Sequence, residues 1–236
     1  MSLRYSIIIP ALNEARLIES TLQVTSQVFA AFNEPFEIIV VDDGSSDTTV
    51  QGVTRYALHD TRVRLLRHDT NQGKGAAVRT GMLAAHGEWG IFMDADLATH
   101  PSAFASFIPH LTQNDIVFGS RRVPGARIVE AQSLVRDWSG QLFNLLVRSI
   151  VGLPYRDTQC GFKAFRLAAC SPLFTDLQTL GWAFDVELLV RAKKAGLRVR
   201  ELPVEWRHGP ISRVRLGHAG SIMSELMRIR RLARVR

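Results

Sequence analysis

The sequence predicts an α/β fold with a mainly parallel central sheet and helices on both of its faces. Three observations predict it. Short apolar segments alternate with longer amphipathic segments from residue 5 onward, as in repeated strand–helix–strand units. The short segments are apolar almost throughout, which is typical of strands buried on both sides. Polar clusters directly follow four of the short segments, at the strand ends where α/β proteins bind their ligands.

The first strand is predicted over residues 5–10, which contain three successive isoleucines and end in a proline. Apolar residues then recur at helical spacing from Leu17 to Phe29, and we expect Asn13 to cap this helix. The same arguments predict strands over residues 36–41, 63–67, 89–93 and 116–119 and helices over residues 74–86 and 102–111.

The second half of the chain has a more varied pattern. Its predicted elements are an amphipathic helix over residues 133–150, a loop and strand over 157–165, a helix over 184–195, a strand over 199–204 and a final helix. In the final helix Ile222, Leu226, Ile229 and Ala233 form an apolar stripe, with arginines away from it. Such a helix can lie on an anionic membrane surface or pack against the domain, and the sequence leaves both open.

Composition narrows the class of protein. The 236 residues are 46% hydrophobic and 22% charged, which is the balance of a packed globular domain. No uncharged apolar stretch approaches the roughly 18 residues that span a bilayer. Residues 1–10 lack a signal-peptide pattern. We therefore expect a cytosolic or peripheral protein.

The net charge of +7 is concentrated near the C-terminus, where seven arginines face the single acid Glu225 from residue 212 onward. This distribution disfavours a protein-wide nucleic-acid groove, so no nucleic-acid partner is expected. The two cysteines, Cys160 and Cys170, cannot build a disulfide scaffold or a four-ligand zinc site. We interpret Cys160 as structural because no histidine lies near it in sequence.

The most informative motif is Asp94-Ala95-Asp96, directly after the strand predicted over residues 89–93. Side chains two residues apart on an extended strand face the same way, so both carboxylates are expected to point into one space. Adjacent carboxylates repel unless a cation lies between them, and oxygen ligands suit Mg²⁺ or Mn²⁺. A solvated turn is the alternative for an isolated pair, but the position after a buried strand favours a metal site.

Two further segments and four arginines suggest a ligand site on the same rim, which is the edge of the sheet formed by the carboxyl ends of the strands. Residues 42–47 form a turn in which Ser46 is expected to cap a helix, while one aspartate could accept hydrogen bonds from a base or ribose. Residues 71–75 lead into a helix N-terminus and carry Lys74, a modest anion site that does not match the Walker motif. The candidate phosphate contacts are Arg121, Arg136, Arg207 and Arg213, each of which could instead be a solvated surface residue.

Taken together, these motifs resemble family 2 inverting glycosyltransferases. The nucleotide-binding motifs are Pro10-Ala11-Leu12-Asn13-Glu14, Asp42-Asp43-Gly44-Ser45, Asn71-x-Gly73-Lys74-Gly75 and Asp94-x-Asp96. Two others, residues 157–163 and Phe184-Asp185-x-Glu187, are similar to those of polyprenyl-phosphate sugar synthases, especially the dolichyl-phosphate β-glucosyltransferase type. The resemblance covers about residues 4–215.

The resemblance implies a GT-A (Rossmann-like) fold, a nucleotide-diphosphate sugar donor, Mg²⁺ or Mn²⁺ as cofactor, and a polyprenyl phosphate acceptor. It divides a catalytic domain over residues 1–210 into a nucleotide-sugar half, 1–120, and an acceptor half, 121–210, followed by a basic amphipathic segment, 211–236. The eukaryotic glucosyl enzymes carry an N-terminal membrane anchor, which this sequence does not show. We therefore expect peripheral attachment to the cytoplasmic face of the membrane, with a membrane-protein partner as a candidate anchor.

The resemblance also assigns roles to residues. Asp94 and Asp96 are the expected metal ligands, and Asp96 and Arg121 the expected catalytic residues. The expected donor-binding set is Pro10, Leu12, Glu14, Asp43, Lys74, Asp94, Ala95, Asp96, Arg207 and Arg213. The expected acceptor-binding set is Arg121, Arg136, Ser139, Asp157, Gln159, Lys163 and Asp185, in which Asp157 would orient the acceptor end or Lys163. Mannosyl relatives carry a glutamine metal ligand where this chain has Ala98, so the glucosyl branch is favoured.

The expected reaction is transfer of a hexose, glucose from UDP-glucose, to a polyprenyl phosphate with inversion. A phosphate acceptor is largely ionised at neutral pH, since its second pKa is about 6, and needs no strong base. The alternatives are a GDP-mannose-dependent polyprenyl-phosphate mannosyltransferase and a family 2 enzyme acting on a saccharide hydroxyl, in which Asp185 would be the base. An inactive nucleotide-sugar sensor and a basic nucleic-acid binder are the alternatives from other classes.

Overall fold

A computed structural model describes residues 2–129, 147, 149–207 and 219–234. The described strands are β1 Tyr5–Ala11, β2 Phe36–Asp42, β3 Val63–Arg67, β4 Trp89–Met93, β5 Ile116–Ser120, β6 Arg127–Ile128, β7 Phe162–Arg166, β8 Val199–Pro203 and β9 Glu205–Trp206. The described helices are α1 Ile18–Ala30, α2 Thr49–Ala57, α3 Lys74–Leu83, α4 Ile108–Leu111, α5 Leu167–Thr175, α6 Phe184–Lys194 and α7 Ala219–Arg234, and a 3-10 helix covers Pro101–Ser106.

In the described part of the chain, seven strands form one sheet in the order β3-β2-β1-β4-β7-β5-β8, and β6 and β9 form a separate parallel pair. The strand β7 runs antiparallel to both of its neighbours, and the other pairs in the large sheet are parallel. The predicted α/β class with a mainly parallel sheet is therefore confirmed. Because β1, β2, β4 and β5 point the same way, the loops that follow them emerge at one edge.

The strand β1 shows why these segments fold as buried strands. Its isoleucines Ile7 and Ile9 pack into one apolar cluster with residues of α1, whereas Ile8 packs into a second cluster with residues of α3. All three are fully buried. Burial of each such side chain contributes roughly 1.5–3 kcal/mol, so helices must cover both faces of the sheet.

Two predicted helix caps are wrong. The helix α1 begins at Ile18, and Asn13 lies in the left-handed region at φ 54°. Its side-chain oxygen accepts a hydrogen bond from the Ser46 N–H at 2.9 Å, so it joins the loops after β1 and β2. Ser46 does not cap α2 either, because the Thr49 N–H donates to Asp47 Oδ1 at 3.0 Å. Asn13 and Ser46 were predicted as helix caps because they are polar and precede helices. In the structure they connect the loops after β1 and β2 instead.

Other boundaries differ less from prediction. The helix predicted over residues 102–111 is a 3-10 turn followed by the short α4. The helix predicted over residues 133–150 lies almost entirely outside the described residues.

The helix α7 packs against the domain. Leu226 and Ile229 of its predicted stripe are buried in the same apolar cluster as residues of α6. Met223 and Met227 are exposed instead. The sequence left open whether this helix packs against the domain or lies on a membrane, and Leu226 and Ile229 pack against the domain. None of the described helices is both long enough and apolar enough to cross a lipid bilayer.

Candidate active site

The centre of the candidate site is an ion pair between the loop after β4 and the start of α3. The Lys74 Nζ lies 2.6 Å from Asp94 Oδ1, and the two side chains are 23% and 30% exposed. Burial alone would lower the pKa of Lys74, but the carboxylates of Asp94, Asp185 and Asp96 outweigh it and raise this pKa. The carboxylates of the Asp94-Ala95-Asp96 motif thus act on a single ammonium.

Extended strand geometry does not continue through Asp96, contrary to the prediction. The strand β4 ends at Met93, residues 95 and 96 lie in a turn, and Leu97 adopts φ 53°. Asp96 is exposed, and its Oδ1 accepts a hydrogen bond from the Ala98 N–H at 3.0 Å. A turn, rather than strand alternation, therefore sets the positions of these two acids.

Close backbone packing fixes both partners of the pair. Gly73 has φ 102°, and a Cβ there would collide with the carbonyl oxygen of Leu180. The Gly75 N–H donates to the same carbonyl at 2.8 Å, which anchors the start of α3. A Cβ at Gly161 would collide with the Asp94 carboxylate. The two collisions explain why positions 73 and 161 are glycines.

Asp43 is held by several donors. Its Oδ1 lies 2.7 Å from His68 Nδ1 and accepts from the Gln72 N–H at 2.9 Å, and its Oδ2 accepts from the Gly73 N–H at 2.9 Å. The His68 Nε2 in turn lies 2.9 Å from Thr80 Oγ1 on α3. Asp43 thereby ties the loop before Lys74 to the end of β2. His68 was not among the site residues predicted from the sequence, although its position directly after β3 could have indicated it.

A second ion pair lies at the carboxyl end of β5. Arg121 donates from Nε and Nη2 to Asp157 at 2.7 and 2.9 Å, and its guanidinium lies 5.5 Å from the Trp206 ring centre. Burial by itself would raise the pKa of Asp157, but Arg121 outweighs it and holds this pKa below its usual value. Asp157 was expected to orient the acceptor or Lys163, and the side chain it holds here is Arg121.

A third ion pair lies in the interior. The Lys163 Nζ is 2.8 Å from Asp185 Oδ1, with the side chains only 1% and 5% exposed, and it donates to the Cys160 carbonyl at 2.5 Å. Burial raises the pKa of Asp185, although Lys163 and Lys74 oppose this effect. Burial also raises the pKa of the Cys160 thiol to about 11, so it is not an activated nucleophile. The placement of Lys163 makes it a support for Asp185 in this structure.

Other predicted residues lie around this centre. Gln159 donates to the Trp182 carbonyl at 3.4 Å, next to the loop that packs on α3. Arg207 donates its backbone N–H to the Ala98 carbonyl at 2.7 Å, while its side chain is exposed and pairs with Glu205 at 3.1 Å. Its backbone therefore reaches the loop after β4.

The remaining predicted residues divide between the described rim and the undescribed segments. Glu14 donates its N–H to Thr49 Oγ1 at 2.8 Å in the loop after β1. Pro10 and Leu12 are partly buried on that side, and Ala95 is buried. Arg136, Ser139 and Arg213 lie outside the described residues.

The residues of the rim fit a divalent cation whose coordination is completed by a bound ligand. In the described residues no group of three or more His, Cys, Asp or Glu side chains is placed to hold a metal ion. Asp94 and Asp96 offer carboxylate oxygens on the loop after β4, where Asp94 already pairs with the Lys74 ammonium. Mg²⁺ is commonly held by one or two carboxylates together with water and substrate phosphates. This donor set could hold such an ion with a diphosphate.

Comparison with known proteins agrees with this geometry. Residues 6–174 match the family model described as glycosyl transferase family 2. The chain is 37% identical over 205 residues to glycosyltransferase AglD of Haloferax volcanii, covering 85% of this chain but 32% of that protein. It is 37% identical over 235 residues to a dolichyl-phosphate beta-glucosyltransferase of Trichomonas vaginalis, covering 94% of this chain and 69% of the relative.

Solved structures share the fold. Glucosyl-3-phosphoglycerate synthase from Mycobacterium tuberculosis, in complex with Mn²⁺, UDP-glucose and phosphoglyceric acid, superposes with a TM-score of 0.70 at 19% identity. The match covers 98% of this chain and 79% of the synthase. This likeness supports the predicted GT-A fold.

Proposed function

The chain belongs to glycosyltransferase family 2, and from that premise we propose that it transfers a hexose from a nucleoside-diphosphate sugar to the phosphate of a polyprenyl phosphate. UDP-glucose is the proposed donor, because a relative of which the chain covers 69% is named a dolichyl-phosphate beta-glucosyltransferase. The observation that carries the proposal is the placement of Lys74 beside Asp94, the first acid of the Asp94-Ala95-Asp96 motif, at the carboxyl ends of the strands.

The donor side of the reaction needs positive charge. The leaving nucleoside diphosphate gains negative charge as the bond to the sugar breaks, and Lys74 stands in the first turn of α3, where a helix N-terminus also favours anions. A Mg²⁺ or Mn²⁺ ion held by Asp94 and Asp96 would neutralise further charge on the leaving group. Asp43 supports this arrangement by holding the loop before Lys74.

The acceptor side needs orientation more than proton transfer. A phosphate monoester is largely doubly ionised at neutral pH, since its second pKa is about 6, so its oxygen can attack without a strong base. Arg121, fixed by the two hydrogen bonds from its side chain to Asp157, is the group proposed to hold this phosphate. Attack opposite the leaving group inverts the anomeric centre, so an α-linked donor gives a β-linked product.

One observation favours the alternative in which the acceptor is a saccharide hydroxyl. The charge of Asp185 acts on Lys74, and burial raises the pKa of Asp185, as suits a general base. The variant Asp185→Asn separates the two reactions. Under the hydroxyl alternative it should abolish turnover while donor binding persists, whereas phosphate transfer should show a smaller loss.

The donor can be tested without the lipid. We expect UDP-glucose with Mn²⁺ to raise the melting temperature, and GDP-mannose with Mn²⁺ to raise it less. Replacing Mn²⁺ by EDTA should remove most of the effect. A larger stabilisation by GDP-mannose would replace the proposed donor, and no stabilisation by any sugar nucleotide would refute the proposed function.

We propose in addition that the protein acts at the cytoplasmic face of a membrane, where a polyprenyl phosphate presents its headgroup. Peripheral attachment accords with the exposed basic residues Arg228 and Arg231 on α7. A membrane-protein partner is a candidate for a further anchor. Co-sedimentation with vesicles containing anionic lipid should be strong at low salt and weak at high salt. Equal binding to neutral vesicles would argue against this electrostatic attachment.

A further inference from the structure

Lys74 is a cation that the protein itself places beside an expected metal ligand. Its Nζ lies 2.6 Å from Asp94 Oδ1. A further carboxylate, that of Asp185, is paired with the buried Lys163, whose Nζ lies 2.8 Å from it. Asp94 therefore meets positive charge from its own chain before any ligand arrives.

The backbone of Lys74 is held in place, but the ammonium at the end of its side chain can move. Packing of Gly73 and Gly75 against Leu180 holds the start of α3. The Lys74 Nζ lies 5.3 Å from the ring centre of Phe92 and 5.4 Å from that of Trp182. Its side chain remains 23% exposed and carries a flexible four-carbon stem, so the ammonium can swing towards a ligand.

Charge then decides the order in which ligands can enter. A divalent cation that approaches Asp94 and Asp96 meets the Lys74 ammonium at short range, where like charges repel strongly. A nucleoside diphosphate offers the ammonium new anionic partners. Once Lys74 turns to these oxygens, the carboxylates can accept the divalent cation.

We propose that Lys74 is the internal counter-cation of Asp94, and that it couples entry of a divalent cation at the Asp94-Ala95-Asp96 motif to entry of a nucleoside diphosphate. In the absence of nucleotide, the ammonium keeps affinity for the divalent cation low. With nucleotide bound, the same ammonium contacts the phosphates. The inference rests on the proposed function only in taking a nucleoside diphosphate as ligand.

The first test measures binding of Mn²⁺ in the absence of nucleotide. The electron paramagnetic resonance signal of Mn²⁺ monitors this binding. Lys74→Gln should bind Mn²⁺ at least about tenfold more tightly than the unmodified protein, since a charge adjacent to the ion has been removed. Lys74→Arg keeps the charge and should bind Mn²⁺ weakly. Lys194→Gln makes the same charge change at the far end of α6 and should leave Mn²⁺ affinity unchanged.

The second test is the coupling between Mn²⁺ and UDP. The ratio of Mn²⁺ dissociation constants without and with saturating UDP measures this coupling, which is reciprocal between the two ligands. It should be large in the unmodified protein and at least about tenfold smaller in Lys74→Gln. Unchanged or weaker binding of Mn²⁺ alone by a folded Lys74→Gln protein would overturn the proposal, and so would an unchanged coupling ratio.

A measurement on the unmodified protein covers the case in which Lys74→Gln does not fold. Tryptophan fluorescence, with Trp182→Phe as the background, reports departure of the ammonium from the Trp182 ring. Mg²⁺ alone should leave the Trp182 signal unchanged, and Mg²⁺ with UDP should change it. An equal change with Mg²⁺ alone would overturn the proposal. Neither binding test requires hexose transfer, so a failed transferase assay with intact coupling would count against the proposed function only.

Discussion

Two lysine–aspartate pairs flank the same aromatic ring and differ mainly in burial. The Nζ atoms of Lys74 and Lys163 lie 5.3 and 6.0 Å from the Phe92 ring centre. The Lys74–Asp94 pair is partly exposed at the rim of the sheet, whereas the Lys163–Asp185 pair is almost completely buried beneath it. The same two residue types thus occur once in a partly exposed position and once in a nearly buried one.

This difference assigns the pairs different tasks. Partners of a partly exposed pair exchange readily with water and anionic ligands, so the pair contributes little to stability. A buried pair has lost the hydration of both ions, and removing one partner leaves an uncompensated charge in the interior. We therefore expect the rim pair to govern ligand binding and the interior pair to govern stability.

The largest effect is expected at the interior pair. Lys163→Met should lower the free energy of unfolding by about 3–5 kcal/mol, because Asp185 is left buried without its cation. Lys74→Met should lower it by less than about 1 kcal/mol. Urea unfolding followed by circular dichroism measures both changes.

A double variant sharpens this comparison. Lys163→Met with Asp185→Leu replaces both ions by apolar groups and should recover most of the lost stability. If Lys163→Met and Lys74→Met proved equally stable, burial would not explain the difference between the pairs.

The next largest effect concerns activity at the rim. Asp96→Ala should reduce kcat/KM by at least roughly 10²-fold, the scale of losing a major electrostatic stabiliser, while the melting temperature changes little. Steady-state rates at limiting Mn²⁺ are the appropriate measurement. Asp176→Ala removes an exposed acid on another part of the surface and should act normally. A near-normal rate for Asp96→Ala would exclude Asp96 as a metal ligand.

The sequence predicted the strands that position the site better than it predicted the contacts between the side chains of the site. The predicted bounds of β3 and β4 coincide with the observed ones, because short apolar strands with turn residues at their ends are encoded locally. The turn that follows Asp94 and carries Asp96 was not predictable from strand alternation. It depends on the close packing of Gly161 against Asp94, and these residues are far apart in sequence.

Long-range pairing explains the other differences. The pairing of Lys163 with Asp185 and of Arg121 with Asp157 follows from where β5, β7 and α6 meet, which no local pattern specifies. The polar side chain of Asn13 resembles a helix cap in sequence, but its partner Ser46 belongs to the loop after β2. The family was nevertheless predicted from the combined motifs, and the match to its model confirms it.

A smaller effect is expected at His68, which lies behind the rim and supports Asp43. His68→Ala should raise the KM for the donor by about tenfold or more with little change in kcat, because a hydrogen bond to a charged group contributes about 1.5–3 kcal/mol. His68→Asn retains a donor near the Nδ1 position and should recover part of the affinity. If His68→Ala lowered the stability but left the KM for the donor unchanged, the role of His68 would be purely structural.

The smallest effect belongs to an ion pair far from the site. Hydrogen bonds from Arg62 lower the pKa of Asp60 to about 2. The pKa of an unfolded aspartate is about 3.9. Since the folded value is the lower one, this carboxylate stabilises the protein above about pH 4, and the contribution is lost as pH falls towards about 2. Thermal unfolding between these pH values should therefore depend less on pH in Asp60→Asn, and an unchanged slope would contradict the assignment.

The most direct test of the rim as a transferase centre is the mass of the product. Incubation of the protein with UDP-glucose, Mn²⁺ and a short-chain polyprenyl phosphate should yield the lipid phosphate carrying one hexose. The corresponding prenyl alcohol should yield no product, and Asp96→Ala should yield at least roughly 10²-fold less. Transfer to the alcohol but not to the phosphate, or equal yields from the two proteins, would contradict the account.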